Sequence, residues 1–402
     1  MKRMLLVLLA LVFIFPMISM GAEKDSISLK LVWEKEFSEP IVDVIIDTSN
    51  IKSVTPKVVI FKDRFLNFNN GKKVRTIVFF DKKKQDGYTR ISRSPNGRYI
   101  LFAKDPVDLS GPDWIGGTIY DNEGNIIMKI PKEIPLYASD DGIVIANAPT
   151  YYGETIPSYW TIYSLQNGEI GKIYNQFKSN IGEAILIFTK SQNYIIAFFS
   201  SFKIKKTFIS LYKINGNNII NIWQTTLNVE YFHVHPYYMN FKILDNVGFV
   251  NAYNGSSKIF FINWEGQKQW EKNIERAPRR RDAFEFTQNG ESVVINLVYK
   301  IISVKSNNGK KEWEYKLEKD YAAMGNKFYS IGNNSIGFVA KSNKYNSKLV
   351  ILNTLNGEIE NEISLPDKMS ILNIKALNKT IYLIGKTGNK LAIYGMGGNN
   401  EY

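Results

Sequence analysis

Short runs of β-branched and aromatic residues alternate along the chain with Asn-Gly, Asp-Gly and Glu-Gly pairs. One phrase recurs: a β-rich run, a turn closing on glycine, then a second β-rich run that often carries tryptophan. Its instances close at Gly71, Gly124, Gly168, Gly216, Gly266, Gly309 and Gly357, spaced 53, 44, 48, 50, 43 and 48 residues apart. Glycine suits that place because a tight hairpin turn demands a positive φ at a central position. A second hairpin signal stands upstream of several of these turns. Ser94-Pro95-Asn96-Gly97 precedes Arg98-Tyr99-Ile100-Leu101-Phe102, Asp140-Asp141-Gly142 precedes Ile143-Val144-Ile145, and Gln288-Asn289-Gly290 precedes Val293-Val294-Ile295. Each period therefore holds about four short strands, the content of one β-propeller blade.

The ends of the chain set the number of blades. Removing 21 N-terminal residues from 402 leaves 381, which is eight periods of about 48. The C-terminal run over residues 389–396 stops where an outer strand should follow, and residues 29–37, Leu-Lys-Leu-Val-Trp-Glu-Lys-Glu-Phe, read as that missing strand. Pairing the two would seal the ring and remove the raw sheet edge between last and first blade. The expected fold is all-β: a single eight-bladed propeller over residues 22–402, with a seven-bladed ring and one irregular insertion as the alternative.

The first residues address the chain. Met1-Lys2-Arg3 is a positive start, residues 5–15 are uninterruptedly apolar, Pro16 breaks the run, and Ser19-Met20-Gly21 supplies the small residues of a cleavage site. Residues 1–21 are expected to be a secretory signal peptide, and the mature protein extracytoplasmic, periplasmic or secreted. The competing reading is a retained anchor, since residues 4–22 are uncharged but barely reach spanning length. No later stretch approaches an apolar twenty, so no transmembrane segment is expected after cleavage.

Composition narrows the chemistry. There is no cysteine, which removes disulfides, thiolate metal sites, cysteine nucleophiles and a lipid-modified N-terminal cysteine. The formal net charge is +13, but 41 of the 51 basic residues are Lys, scattered among Ile, Asn, Tyr and Phe in a pattern that also follows AT-rich codon usage. Scattered lysines do not make a nucleic-acid stripe, so no nucleic-acid partner is expected.

Gly266-Gln267-Lys268-Gln269-Trp270, Gly309-Lys310-Lys311-Glu312-Trp313 and the strand around Trp33 resemble the Gly-x-x-x-Trp of pyrroloquinoline-quinone-type propeller repeats. In that family the Trp docks each blade on the next. The Ala, Asp and Thr that precede the glycine in the family are mostly missing here, and several blades lack the Trp. Ser94-Pro95-Asn96-Gly97-Arg98 resembles instead the inner hairpin of TolB-type and WD40-type propellers. The resemblance implies either a quinoprotein dehydrogenase, with its cofactor on a calcium ion, or a cofactor-free scaffold of outer-membrane assembly. The dehydrogenases share a vicinal disulfide that a cysteine-free chain cannot form, so the scaffold type fits better and no cofactor is expected.

Candidate site residues fall in long segments expected to share one face, the top of the ring. Residues 105–117 include Trp114, and residues 148–160 carry Tyr151, Tyr152, Tyr159 and Trp160. Residues 231–238 contain His233, His235 and Tyr237, and residues 276–282 read Arg-Ala-Pro-Arg-Arg-Arg-Asp. Four of the chain's ten arginines, including Arg279, Arg280 and Arg281, sit in that last segment. Guanidinium forks suit carboxylate or phosphate, although an inter-blade salt-bridge cluster using Glu275, Asp282 and Glu285 is the plainer account. His233 and His235 are weak metal candidates, since alternate strand residues share a face but no third ligand is identifiable. The expected function is a non-catalytic, monomeric protein-binding or scaffold module of the cell envelope or extracellular space. An acidic-glycan binder is one alternative. The other is an enzyme, whether hydrolase, lyase or quinoprotein, although no Gly-x-Ser-x-Gly elbow supports a hydrolase.

Overall fold

All seven turn glycines of the repeat have φ between +58° and +91°, the left-handed backbone the sequence assigned to them. The computed structural model describes residues 28–47, 54–78, 88–105, 116–147, 158–175, 183–189, 191–201, 206–228, 240–252, 258–274, 283–323, 327–331, 334–342, 346–377 and 380–397. The described residues form eight antiparallel sheets arranged as an eight-bladed β-propeller, not a seven-bladed one. Blade 1 runs from inner strand Asp43–Asp47 to outer strand Lys72–Val78, blade 2 from Tyr88–Arg93 to Ile126–Pro131, and blade 3 from Ile134–Ala138 to Gly168–Tyr174. Blade 4 runs from Glu183–Phe188 to Asn218–Asn228, blade 5 from Asn240–Leu244 to Lys268–Asn273, and blade 6 from Phe284–Phe286 to Lys311–Lys316. Blade 7 ends at Ile359–Ser364, and its inner position is shared by Tyr321–Ala323 and Tyr329–Ile331, which both pair with Ser335–Ser342. The repeat gave no warning of that split strand.

Blade 8 closes the ring as expected. Its first three strands are Ser370–Leu377, Thr380–Thr387 and Lys390–Gly397, and its outer strand is the N-terminal Ser28–Glu36. The pairing runs from Ser28 opposite Gly397 to Glu36 opposite Lys390, and Phe37 N–H adds a bond to Asn389 O at 3.0 Å. Eight hydrophobic clusters fill the eight gaps between neighbouring blades, including the blade 8–blade 1 gap, where Ile384, Leu391 and Ile393 meet Val44, Val59 and Phe61. The middle strands are thus covered on both faces, which is why stretches such as Ser292–Asn296 are buried throughout rather than alternating.

The outer strands share a further device. In every blade the pairing of third and fourth strands slips by one residue, leaving Val32, Val74, Ile127, Ile170, Ile222, Gln269, Glu312 and Glu360 as bulges. The residue that follows the bulge is Trp33, Trp223, Trp270 or Trp313 in four blades. Each of these indoles lies over the turn glycine of the next blade: Trp33 on Gly71, Trp223 on Gly266, Trp270 on Gly309 and Trp313 on Gly357. Three also donate Nε1–H to a carbonyl of that turn, Trp223 to Trp264 O at 2.7 Å, Trp270 to Ser306 O at 2.7 Å and Trp313 to Thr354 O at 3.1 Å. A Cβ added at Gly309 would come within 2.8 Å of the Trp270 ring, so its glycine answers both to φ and to the indole. The docking role that the resemblance implied for Trp33, Trp270 and Trp313 is what the geometry shows, with Trp223 added.

Elsewhere the position is Arg75, Met128, Gly171 or Asn361, and other contacts hold the blades. Ile77 covers Gly124 in the blade 1–blade 2 gap, and Asn67 Nδ2 donates to Asn122 O at 2.7 Å. In blade 3 the buried Glu133 accepts from Thr161 Oγ1 at 2.7 Å and Tyr163 Oη at 2.8 Å, tying the link from blade 2 to the third strand. At the opposite end from the long segments, Asp140 accepts from Asn96 N–H at 3.1 Å and from Gln192 Nε2 at 3.2 Å, stitching the inner turns of blades 2, 3 and 4.

Two outcomes test this frame. Trp270→Ala should lower stability by about 3–5 kcal/mol in denaturant unfolding, because it empties a buried site and orphans the Ser306 carbonyl. Burial, then the hydrogen bond and charge of Glu133, push the Tyr163 phenol above its ordinary value. A phenol whose folded pKa is raised contributes fully below the unfolded pKa, near 10, and its contribution is lost as pH rises beyond it. Tyr163→Phe should cost about 1–3 kcal/mol at neutral pH by leaving Glu133 a donor short. It should also flatten the loss of stability above about pH 10 seen in wild type.

Candidate functional site

Strand direction decides which loops share a face. Second-to-third-strand connections and blade-to-blade links leave one end of the ring, and the glycine turns leave the other. Residues 106–115 join two strands of blade 2, residues 148–158 two strands of blade 3, and residues 229–239 and 275–282 the links into blades 5 and 6. The roots of the four long segments are therefore on one face, spread from blade 2 to blade 6. The Arg segment and the segment of Trp114 root three to four blades apart, so they are not neighbours by topology. Trp114, Tyr151, Tyr152, His233, His235, Tyr237, Arg279, Arg280 and Arg281 themselves lie outside the described residues.

Trp160 is described, and it corrects one expectation. Its side chain is 2% exposed and meets Phe199 edge-on at 5.5 Å in the core between blades 3 and 4, so it is a packing residue rather than a surface contact. What blade 3 exposes nearby is Tyr174, 61% exposed, with Tyr159 at 6.2 Å and Lys172 Nζ 4.5 Å from the Tyr159 ring.

The described contact residue that sequence reasoning missed is Tyr299, in the short turn between the second and third strands of blade 6. It is 61% exposed, and the residue before it, Val298, has a φ of +77°. A β-branched residue in that region is strained, and such strain persists only where the surroundings fix it. Here the Asn296 carboxamide accepts from Val298 N–H at 3.0 Å, and Val298 O accepts from Ala323 N–H of blade 7 at 2.7 Å. Tyr299 O accepts from Leu317 N–H at 3.1 Å. The same blade receives the Arg segment, since Asn296 N–H bonds to Ala283 O at 2.8 Å where that segment ends. No turn residue marks the place in the sequence: Leu297-Val298-Tyr299 is a turn without Gly, Pro, Asn or Asp.

Glu285, one of the acids expected beside the arginines, also braces the inner strands. Its Oε2 accepts from Lys242 Nζ at 2.7 Å and from Ser330 Oγ at 3.0 Å, and its Oε1 from Phe286 N–H at 3.3 Å. That contact links the inner strands of blades 5, 6 and 7. The inner strands of blades 1 and 2 are joined likewise by Arg93 Nε on Asp43 Oδ2 at 2.7 Å. Among the described residues no three His, Asp or Glu side chains gather as metal ligands would. No helix among these residues is long and apolar enough to cross a membrane.

No protein-family model matches the sequence, and no curated protein does. Solved structures do resemble the fold. BamB from Moraxella catarrhalis superposes with a TM-score of 0.51 at 9% identity, over 93% of this chain and 99% of that one. The dihydro-heme d1 dehydrogenase NirN, in complex with DHE, superposes with a TM-score of 0.54 at 10% identity, over 92% of this chain and 80% of that one. Identities this low show a shared propeller fold and leave the chemistry to the residues themselves.

Strain at Val298 is measurable. Val298→Asn, a residue that tolerates positive φ, should raise stability by about 1 kcal/mol in thermal or denaturant unfolding, whereas Val298→Ile should not.

Proposed function

We propose that the chain is an extracytoplasmic, non-catalytic propeller that holds a protein partner on the loop-bearing face at blade 6, the blade that residues 275–282 lead into and that exposes Tyr299. The observation that carries this reading is Tyr299, 61% exposed on a turn whose backbone is bonded to Leu317 and, through Val298, to blade 7. Arginine and tyrosine are residue types enriched at interface hot spots, and long loops on a rigid ring are where such sites concentrate. Two acids of the inner strands are paired with cations of adjacent blades, Asp43 with Arg93 and Glu285 with Lys242, which stiffens the ring beneath this face. Export rests on the N-terminal segment as a signal peptide of residues 1–21. Trp114, Tyr151, Tyr152 and Tyr237 remain part of the proposed face as flat contacts farther round the ring. Trp160 does not.

Capture of envelope proteins by the purified chain tests this, with a glycan array beside it. Replacing Arg279, Arg280 and Arg281 with Ala, or Tyr299 with Ala, should weaken capture by about thirtyfold or more while the melting temperature holds. Retained capture with a clear fall in melting temperature would make the arginines an inter-blade salt-bridge cluster. Selective loss on acidic glycans alone would assign the face to carbohydrate.

A further inference from the structure

Among the described residues the outer strand of every blade pairs on one side only, and seven of the eight edges are blunted in the usual way. Lys72, Lys73 and Arg75 mark blade 1, Lys129 and Pro131 blade 2, and Glu169 and Lys172 blade 3. Lys268, Glu271 and Lys272 mark blade 5, four charges blade 6, Glu360 and Glu362 blade 7, and Lys30, Glu34, Lys35 and Glu36 blade 8. Charge on an edge strand, lysine above all, keeps it from pairing with another chain.

Blade 4 is the exception. Its outer strand Asn218–Asn228 reads Asn-Ile-Ile-Asn-Ile-Trp-Gln-Thr-Thr-Leu-Asn, eleven residues with no charge and no proline, longer than any other outer strand described. The window from Ile219 to Thr225 combines high β-propensity with zero net charge, the composition that favours edge-to-edge pairing. Ile220 and Ile222 are 43% and 47% exposed on it. The bulge at Ile222 is common to all eight blades, so it does not protect this edge more than the others. Beyond the bulge the strand runs in regular register from Trp223 opposite Leu211 to Asn228 opposite Lys206. It is held from behind by Trp223 Nε1–H on Trp264 O at 2.7 Å and by Ser210 Oγ on Gln224 Oε1 at 3.2 Å.

We infer that this edge pairs with the same edge of a second copy of the chain, joining two blade 4 sheets antiparallel across a two-fold axis. Electrostatics selects the occupant. A chain of net charge +13 repels its own copy, and an isologous contact at a charged outer edge either adds like-charge repulsion or must hold its ion pairs in one register. Only the blade 4 edge brings two copies together without a charge in the strand. Its match on the chain is itself, neutral and of equal length. An edge pair of this length buries less than a standard interface, so the dimer is weak and concentration-dependent, a departure from the monomer expected on sequence.

Sedimentation velocity of the full mature chain over a range of concentrations reads this out. The wild type should shift from monomer to dimer as concentration rises. Ile220→Lys with Ile222→Lys should weaken dimerisation at least about tenfold at an unchanged melting temperature, since both side chains are already exposed. The absence of cysteine gives a second, independent measurement. Asn221→Cys should form a disulfide dimer under mild oxidation, while Lys268→Cys on the charged edge of blade 5 should not. A chain monomeric at every concentration, a dimer indifferent to the two lysines, open higher oligomers, or equal trapping at the two cysteines would each overturn the inference. A monomer trapped through Asn221→Cys by another envelope protein would also overturn self-pairing and give the edge to a foreign strand.

Discussion

A blade with two apolar faces has no stable place at the end of a row. Each sheet here buries its middle strands against a neighbour on both sides, and every gap between blades contains its own hydrophobic cluster. The requirement is met for all blades only when the last meets the first. The Ser28–Glu36 strand does this by completing blade 8 from the far end of the sequence, while Trp33 on that strand docks on Gly71 of blade 1. One strand thus supplies both the backbone closure and the first indole contact of the ring. The non-local pairing of residues 28 and 397 is the longest loop the chain must close, and it is rewarded only when the other blades stand in place.

The docking indoles explain why the ring is uneven. The bulge before each docking position re-aims the next side chain, and it occurs in all eight blades whether or not a Trp follows. Geometry is therefore shared and chemistry is not. From blade 4 through blade 7 each gap has an indole over a glycine and a hydrogen bond to a turn carbonyl. Through blades 1 to 4 the gaps rely on Ile77, on Asn67 and on Ile219 over Gly171, with Glu133 bracing the entry to blade 3. A buried carboxylate with two hydroxyl donors is satisfied but intolerant of losing either one, whereas an indole over a glycine loses mostly contact when truncated.

Much of the fold could be read from the chain because glycine turns leave a mark that side-chain packing does not. Positive φ at Gly71, Gly124 or Gly357 follows from local sterics, and the interval between such turns counts the blades. Trp270 and Trp313 were legible for the same reason, standing four residues after a turn glycine. Trp223 was not, because its strand is longer and the indole falls seven residues after Gly216. The divided inner strand of blade 7 left no sequence mark either. The site was harder still. Trp160 ends a polar segment and so reads as a surface aromatic, yet its side chain packs toward blade 4 beside Phe199. Tyr299 escaped because nothing in its turn announces a turn; the chain is held there by Asn296 and Ala323, and the strain at Val298 is a tertiary effect.

Charge on the inner strands is paired from blade to blade where the structure describes it. Asp43 and Glu285 lie on inner strands, and each is spanned by a cation of the adjacent blade, so the pairs act as struts between blades. Strutting the inner strands stiffens the support beneath the loop-bearing face, and a stiff support lowers the ordering cost of any partner docked there. The exposed tyrosine of blade 6 belongs to the same economy of rigidity. Its backbone is bonded on both sides, to Leu317 and through Val298 to blade 7, so an approaching surface would meet a tyrosine already fixed at its base.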